Sequence, residues 1–270
     1  MDSNKKIAII GGGNLGASLA KGLVKSGKYQ AKNITVTRRD LKSLDALSAA
    51  GFGISDNNAE AAEDSEIVVL AVLPQQFDAA IGQVKNALDA EKHLLISCVT
   101  GVSIKDIRDK TGSEIPVIRT MPNTAIAIGE SMTCLSADES SKKYTQIAKE
   151  IFDTVGTTLV IPEEHMGAAT ALCACGVAFF LRAIRAASQG GIEIGFHADE
   201  ALQMAAQTAK GAAALLLYSE KHPEREIDKV TSPEGCTIAG LNEMEHQGFS
   251  SALIKGITTS ASKAEKLYKE

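Results

Sequence analysis

Gly11-Gly12-Gly13-Asn14-Leu15-Gly16 stands directly after the apolar run Lys6–Ile10 and at the head of a helical pattern. Glycines at Gly11, Gly13 and Gly16 suit an anion. Gly11 permits a tight turn, Gly13 lets a pyrophosphate approach the backbone, and Gly16 lets helix pack on strand. Unpaired N–H groups of the turn, which includes Asn14 and Leu15, and the helix dipole face the anion. Out of context this spacing reads as a flexible turn, but the strand before it and the βαβ unit after it make it a dinucleotide site. At the end of the second strand, about 20 residues on, an NAD enzyme carries Asp or Glu for the ribose hydroxyls. Here the residues are Thr37-Arg38-Arg39. Two guanidinium groups and a hydroxyl suit a 2′-phosphate, because Arg offers planar, permanently charged donors. NADPH is therefore the expected cofactor, with NADH possible, against the plainer reading of a solvated basic turn.

These turns need a sheet to hold them. Lys6–Ile10, Ile34–Thr37, Ile67–Val72, His93–Cys98 and Val117–Thr120 read as strands. Between and after them Leu15–Ser26, Leu41–Ala50, Gln75–Leu88, Ser103–Lys110 and Ser141–Val155 carry helical spacing, several with a Ser, Asp or Asn cap. Such alternation implies right-handed crossovers and a parallel sheet. After a last strand at Thr158–Ile161 the strand signals stop, and Pro162-Glu163-Glu164 reads as a helix start with acid at its positive end. The expected class is α/β: an N-terminal Rossmann-like doubly wound parallel sheet over 1–161, then an all-helical C-terminal dimerisation domain over 162–270. Gly167–Leu181 is apolar or small, yet Arg182 closes it short of the roughly 20 residues of a membrane span, so a buried helix is expected and no membrane partner. Ala205–Leu217 is a second such run. Two helices apolar on all sides exceed what one small domain buries, which predicts a homodimer completed through them.

Composition excludes several classes. The 270 residues are enough for two domains, and 44% hydrophobic with 23% charged residues is a globular balance rather than a disordered or fibrous one. A net charge of −5 offers no basic surface to a phosphate backbone, so no nucleic acid is expected. With 4% aromatic residues and no Trp, stacking platforms for bases are excluded too. The start Met1-Asp2-Ser3-Asn4-Lys5-Lys6 enters a strand without the regions of a secretory signal, so a cytoplasmic location is expected. The five cysteines, Cys98, Cys134, Cys173, Cys175 and Cys236, form no paired framework and read as reduced thiols. Cys173 and Cys175 lack the second Cys or His pair that a metal needs, so buried structural thiols are expected there and no metal.

Further segments match one family together. Ser55-Asp56-Asn57-Asn58, Leu70-Ala71-Val72-Leu73-Pro74-Gln75, Arg119-Thr120-Met121-Pro122-Asn123-Thr124 and Val230-Thr231-Ser232-Pro233-Glu234-Gly235-Cys236-Thr237-Ile238-Ala239-Gly240-Leu241 resemble pyrroline-5-carboxylate reductases over nearly the whole chain. Pro74 and Pro122 follow strand ends on the carboxyl edge of the sheet, where open α/β folds bind ligands, so Ala71, Val72, Pro74, Met121, Pro122 and Asn123 join Asn58 as expected cofactor contacts. The turn Thr231–Thr237 leads into a helix at Ile238–Met244 and directs N–H groups and hydroxyls at one point, which can hold a carboxylate without Lys or Arg. A plain helix cap is the alternative there. The resemblance implies that Ser232, Gly235 and Thr237 hold the substrate carboxylate, with Cys236 in the same turn and Thr237 also near the ring nitrogen as the catalytic group. It further implies hydride transfer from NAD(P)H to the imine carbon of 1-pyrroline-5-carboxylate, giving L-proline, and a dimer that can build larger rings.

A protonated imine arrives activated, so catalysis is mostly positioning and needs no acid–base cluster; His93, His165, His197, His222 and His246 share no spacing. Four places depart from the family pattern: Leu73 for Lys, Cys173–Ala178 for a Ser/Gly-rich turn ending in Pro-Ala, Glu234 for Gly, and Cys236 for Thr. A carboxylate at Glu234 would repel an anionic substrate unless it points away. These departures keep open a reductase of another cyclic imino acid, or a catalytically silent NADP-binding sensor. A hydroxyacid dehydrogenase is disfavoured, because no Lys lies between Lys149 and Lys210 to act as its base.

Overall fold

The computed structural model describes residues 5–112, 114–219 and 221–268, so Met1 to Asn4 of the signal-peptide argument lie outside the described residues. One sheet holds β1 (Ile7–Ile10), β2 (Ile34–Thr37), β3 (Gly53–Ser55), β4 (Ile67–Leu70), β5 (Leu94–Ser97), β6 (Val117–Met121), β7 (Ser131–Ala137) and β8 (Gly156–Val160). The strand order is β3-β2-β1-β4-β5-β6-β7-β8. Strands β1, β4 and β5 are buried on both faces, which is why they read as continuous apolar runs rather than alternating ones.

Alternate side chains along these strands feed two cores. On one face Ile7, Ile9, Val69 and Ile96 pack with α1 (Asn14–Lys25) and α2 (Asp45–Ala49). On the other, Ala8, Ile10, Val68 and Leu95 pack with α3 (Asn58–Glu63), α4 (Phe77–Val84) and α5 (Ile104–Thr111). Helix α6 (Thr145–Phe152) returns to the first face through Ile151 and Phe152.

Three expectations are corrected. The sheet is not wholly parallel, since β7 runs antiparallel to β6. A connection of nine residues, 122–130, made of a 3-10 turn and a left-handed Gly129, leaves no room for a crossover helix. Strands β3 and β7 had no counterpart among the expected elements. The expected helix Leu41–Ala50 begins as a 3-10 turn, Leu41–Leu44, capped by the Asp40 side chain, before the short α2.

Beyond β8 the described residues hold no strand. They form α7 (Met166–Ala169), a π-helical turn (Thr170–Cys175), α8 (Gly176–Glu193), α9 (Ala198–Ser219), α10 (Pro223–Lys229), α11 (Cys236–His246) and α12 (Phe249–Ala264). The chain divides into two compact units, Met1–Cys175 with Thr259–Glu270, and Gly176–Thr258. In the first, the C-terminal segment is fastened to α4: the Tyr268 ring meets Phe77 edge-on at 5.5 Å, and its hydroxyl donates to Asp78 at 3.1 Å.

The second unit is built on the α8–α9 pair. Gly191 lets the two backbones close, because a Cβ there would lie 3.0 Å from Ala201 Cβ. The buried helix expected at Gly167–Leu181 is not buried within one chain. In α8 only Gly176 and Ser188 are buried, while Phe180 is 59% and Leu181 60% exposed. Nor does the helix stop at Arg182, and the stretch Glu163–Glu193 is long and apolar enough to cross a membrane by length and composition alone. Leu215, Leu217 and Tyr218 leave α9 equally bare. Apolar faces of this extent mark an association surface. We expect light scattering to give two chains or an even multiple at micromolar concentration; a monomer would remove association as the reason for these faces.

Candidate active site

Backbone hydrogen bonds tie the glycine turn to its neighbours. The amides of Gly11 and Gly12 donate to the Thr37 carbonyl at 3.3 and 2.7 Å, tying the end of β1 to the end of β2. The Ala71 amide donates to the Ile10 carbonyl at 2.8 Å and ties in the turn after β4. Gly11 has φ +111°, and a Cβ on it would lie 2.6 Å from the Ala71 carbonyl oxygen. On Gly16 a Cβ would lie 2.2 Å from the Gly11 oxygen. Only glycine fits either place.

Gly13 differs, and the difference is what a ligand needs. It is exposed, a Cβ on it would meet nothing within 4 Å, and it sits at the N-terminus of α1 with no side-chain cap. Amides and dipole there are open to an anion of the size of a pyrophosphate. Asn14 and Leu15 form the first turn behind it.

Arg38 crosses this loop, donating from Nη1 to the Gly12 carbonyl at 2.9 Å, and Arg39 beside it is exposed. Asp40, next in sequence, caps the 3-10 turn that follows, its Oδ1 accepting from the Lys42 amide at 3.2 Å. Two exposed guanidinium groups therefore stand at the end of β2, beside the glycine turn. Thr37 does not present its hydroxyl as the sequence suggested. The residue is buried, and Oγ1 donates to Asn58 Oδ1 at 2.5 Å, while Asn58 Nδ2 donates to Gln83 Oε1 at 2.5 Å. Thr37, Asn58 and Gln83 thus form a rail between β2, α3 and α4. Gln83 and the buried Gly12 had no local signal, since their partners lie 25 or more residues away.

The other expected contacts fall on the same carboxyl edge. Ala71, Val72 and Pro74 follow β4, with Leu73 fully on the surface at 64% exposure. Met121, the last residue of β6, and Pro122 and Asn123 just after it are buried. Asn123 is fixed on both sides: Oδ1 accepts from the Ala125 amide at 2.9 Å, and Nδ2 donates to the Cys173 carbonyl at 3.2 Å. Side chain and backbone thus both hold the turn, since the Asn123 amide donates to Ser131 Oγ and its carbonyl accepts from the Ile126 amide, each at 3.1 Å. A separate cavity of about 510 Å³, lined by Gly101, Ser103, Arg119, Glu163, Met166 and Ala264 among others, contains none of the residues expected to bind cofactor or substrate. Arg119 and Glu163 are ion-paired there at 2.9 Å.

In the second unit, Ser232, Gly235, Cys236 and Thr237 share one turn. Gly235 is the N-cap of α11 with no side-chain cap, its amide donates to the Ser232 carbonyl at 3.0 Å, and a Cβ on it would strike Ser232 Oγ at 2.4 Å. Glu234 has φ +59°, the one non-glycine in the left-handed region among the described residues. That conformation costs an ordinary residue about 1–2 kcal/mol. It gives a physical reason for a glycine at this place in the family pattern.

The cysteines are not uniformly buried. Cys98 and Cys134 are buried, Cys173 and Cys175 half-buried, and Cys236 exposed. Burial pushes the Cys98 thiol up to about 12, against the bond to Thr120 Oγ1 at 3.1 Å, which leaves it inert. Among the described residues no group of three or more His, Cys, Asp or Glu could hold a metal.

Fold and turns define a dinucleotide-dependent oxidoreductase with a Rossmann-like domain. Residues 6–101 match the family described as NADP oxidoreductase coenzyme F420-dependent, and residues 163–267 match that described as pyrroline-5-carboxylate reductase dimerisation. Pyrroline-5-carboxylate reductase 2 of Dictyostelium discoideum is 46% identical over 98% of this chain and 94% of its own. Pyrroline-5-carboxylate reductase 1 of the same organism is 50% identical over 97% of this chain, which spans 50% of that relative's length. A crystal structure of Plasmodium falciparum pyrroline carboxylate reductase with NADP bound superposes with a TM-score of 0.88 at 25% identity, covering 98% of this chain and 99% of the other. The chain belongs to the pyrroline-5-carboxylate reductase family.

Replacing the guanidinium that crosses the loop tests the charge assignment. Arg38→Asp is expected to lower the kcat/KM ratio of NADPH over NADH by about tenfold or more, the size of one lost charge-assisted contact. Steady-state kinetics with each cofactor measures it, and an unchanged ratio would take Arg38 out of the phosphate site.

Proposed function

We propose that this protein reduces 1-pyrroline-5-carboxylate to L-proline, the closing step of proline biosynthesis, with NADPH preferred over NADH. In this reading residues 1–161 hold the dinucleotide and residues 162–270 hold the substrate and dimerise. The observation that carries it is the pair of helix N-termini without side-chain caps, each behind a glycine. One is at Gly13 beside Arg38, and the other at Gly235 behind Ser232. One suits a pyrophosphate and the other a carboxylate.

Gly11, Gly13, Asn14, Leu15 and Gly16 would hold the pyrophosphate, Arg38 and Arg39 the 2′-phosphate, and Thr37 and Asn58 would set the floor between them. Backbone of Ala71, Val72, Pro74, Met121, Pro122 and Asn123 would bound the nicotinamide end. The reduced nicotinamide, when bound, supplies the hydride for the imine carbon. Ser232, Gly235, Cys236 and Thr237 anchor the carboxylate, and the Thr237 hydroxyl orients the ring nitrogen. The imine nitrogen is already protonated, so these residues bind and align rather than transfer a proton.

Assembly follows from α8 and α9. Lipid is the poorer partner for their bare faces, because α8 carries Arg182 and Arg185, each costing about 2.5–3.5 kcal/mol at a bilayer centre. A second copy covers them, and rings of such dimers are the larger assembly we propose. Five thiols without a disulfide fit a reducing, cytoplasmic setting; an organellar signal from a fluorescent fusion of the full-length protein would contradict it.

NADPH absorbance should fall on adding pyrroline-5-carboxylate, more slowly with NADH, and slowly or not at all with other cyclic imino acids. Faster turnover of another imine would reassign the substrate and implicate Cys173, Glu234 and Cys236. Tight NADPH binding without turnover would leave a sensor. Within the substrate turn, Glu234→Gly removes both the left-handed residue and a carboxylate beside an anion site. KM for the imino acid should drop about threefold to fivefold at low salt with kcat little changed, on the order of 1 kcal/mol of like-charge repulsion. An unaltered KM would mean that this carboxylate points away.

A further inference from the structure

Two thiols meet where the substrate chemistry has no use for them. Cys134, in the middle of β7, and Cys173, in the π-helical turn, hold their sulfurs 3.9 Å apart. Cys134 is 3% exposed and Cys173 half-buried, so one thiol is sheltered and the other can be reached. Both lie in the small core cluster of Met121, Met166 and Ala169, with Ile161 and Ala174 against it. The Cys173 carbonyl, in turn, accepts from Asn123 Nδ2 at 3.2 Å. Packing alone would be served as well by Ala or Val, and π-helical turns recur at functional positions.

We propose that Cys134 and Cys173 are a redox-active dithiol, a modification site that a hydroperoxide converts to an intrachain disulfide, and that closing it shifts the Met121–Asn123 turn. The sulfur of Cys173 attacks the peroxide O–O bond, giving a sulfenic acid and releasing the alcohol, or water from hydrogen peroxide. Cys134 sulfur then displaces the hydroxyl from that sulfenic acid, and the proton of its thiol leaves with the hydroxyl as water. Two thiols are oxidised, one peroxide is reduced by two electrons, and nothing else is consumed. The roles follow from access, since Cys173 is half-buried and within reach of a peroxide whereas Cys134 is 3% exposed. The contact between the sulfurs lowers the Cys173 thiol and, with burial, raises that of Cys134. Cys173 is thus the attacking sulfur and Cys134 the resolving one.

Geometry transmits the change. The sulfurs must close from 3.9 Å to a bonding distance of about 2 Å. β7 is paired on both sides, with Met121 opposite Cys134 on one and Leu159 on the other, so the movement falls on the π-helical turn. That displaces the carbonyl holding Asn123, in the turn proposed to bound the nicotinamide. This last link rests on the proposed cofactor site; the disulfide does not.

The test uses the full-length protein treated with hydrogen peroxide, blocked with N-ethylmaleimide, digested without reductant and read by mass spectrometry. Free thiols should fall from five to three, with Cys134 joined to Cys173 within one chain and the link reversed by dithiothreitol. Cys134→Ala and Cys173→Ser should each abolish the link, Cys175→Ser should leave it, and Cys173→Ser should slow thiol loss about tenfold or more. A link to Cys175 or Cys236, a link between chains, or loss of thiols without any link overturns the dithiol. NADPH fluorescence then reads the coupling: oxidation should weaken binding at least about threefold in the wild type and not in Cys173→Ser. A link formed with NADPH affinity unaltered overturns the coupling to the turn. Failure of the untreated protein to bind NADPH would instead sink the proposed cofactor site and leave the disulfide result standing.

Discussion

Three chain segments pass so closely at the carboxyl end of β1 that no side chain fits between them. The Gly11 amide and carbonyl, the Gly16 Cα and the Ala71 carbonyl occupy one crowded point, where added Cβ atoms would lie 2.2 to 2.6 Å from backbone oxygen. Because β1 pairs in parallel with both β2 and β4, with Ile7 opposite Ile34 on one side and Ile67 on the other, all three strands end level. Their turns therefore meet around this point. The Thr37 carbonyl can take two glycine amides only because of that register. The Arg38 guanidinium, the Asn58 amide and the β4 turn are placed by it, so the ligand-facing edge is set by backbone contact before any side chain contributes.

What the sequence disclosed follows from this. Glycines under such constraint, and strands apolar on both faces, have unmistakable composition, and Thr37-Arg38-Arg39 is legible because it follows such a strand. What it concealed is polar and buried. Strand β7 reads Ser-Met-Thr-Cys-Leu-Ser-Ala, with no apolar run and an alternation that breaks at Leu135. Two of its polar side chains are satisfied locally: Ser131 and Thr133 share a hydrogen bond at 3.1 Å, and the Asn123 amide donates to Ser131 at 3.1 Å, while the buried Ser136 hydroxyl has no partner among the described residues. Strand β3 is three residues that include Gly53, too short for any period. The rail Thr37–Asn58–Gln83 joins residues far apart in the chain, so residue type alone pointed the Thr37 hydroxyl at a phosphate when it serves a neighbour.

Glu234 illustrates a further limit. As a sequence departure it reads as misplaced charge. In the fold it is first a backbone problem, a carboxylate-bearing residue at φ +59° with its side chain exposed. The left-handed turn brings Gly235 against Ser232, so the local geometry survives a residue that does not favour it, at a cost of about 1–2 kcal/mol. Turn geometry rather than side-chain identity is what the position enforces.

The two units differ in self-sufficiency, and function follows the difference. The first has a core on both faces of its sheet and fastens its own C-terminus through Tyr268. The second buries almost nothing: α8 contributes two buried residues, α9 contributes Ala201, and α10 and α11 contribute none. Apolar burial is the main term opposing chain entropy, so a unit that buries so little is stable only when another surface completes it. Its stability then depends on chain concentration by mass action. The turn proposed to hold the substrate carboxylate sits between α10 and α11, inside this unit. Ordering of that turn and association of the chains therefore draw on the same free energy, and loosening the helical surface must loosen the turn with it.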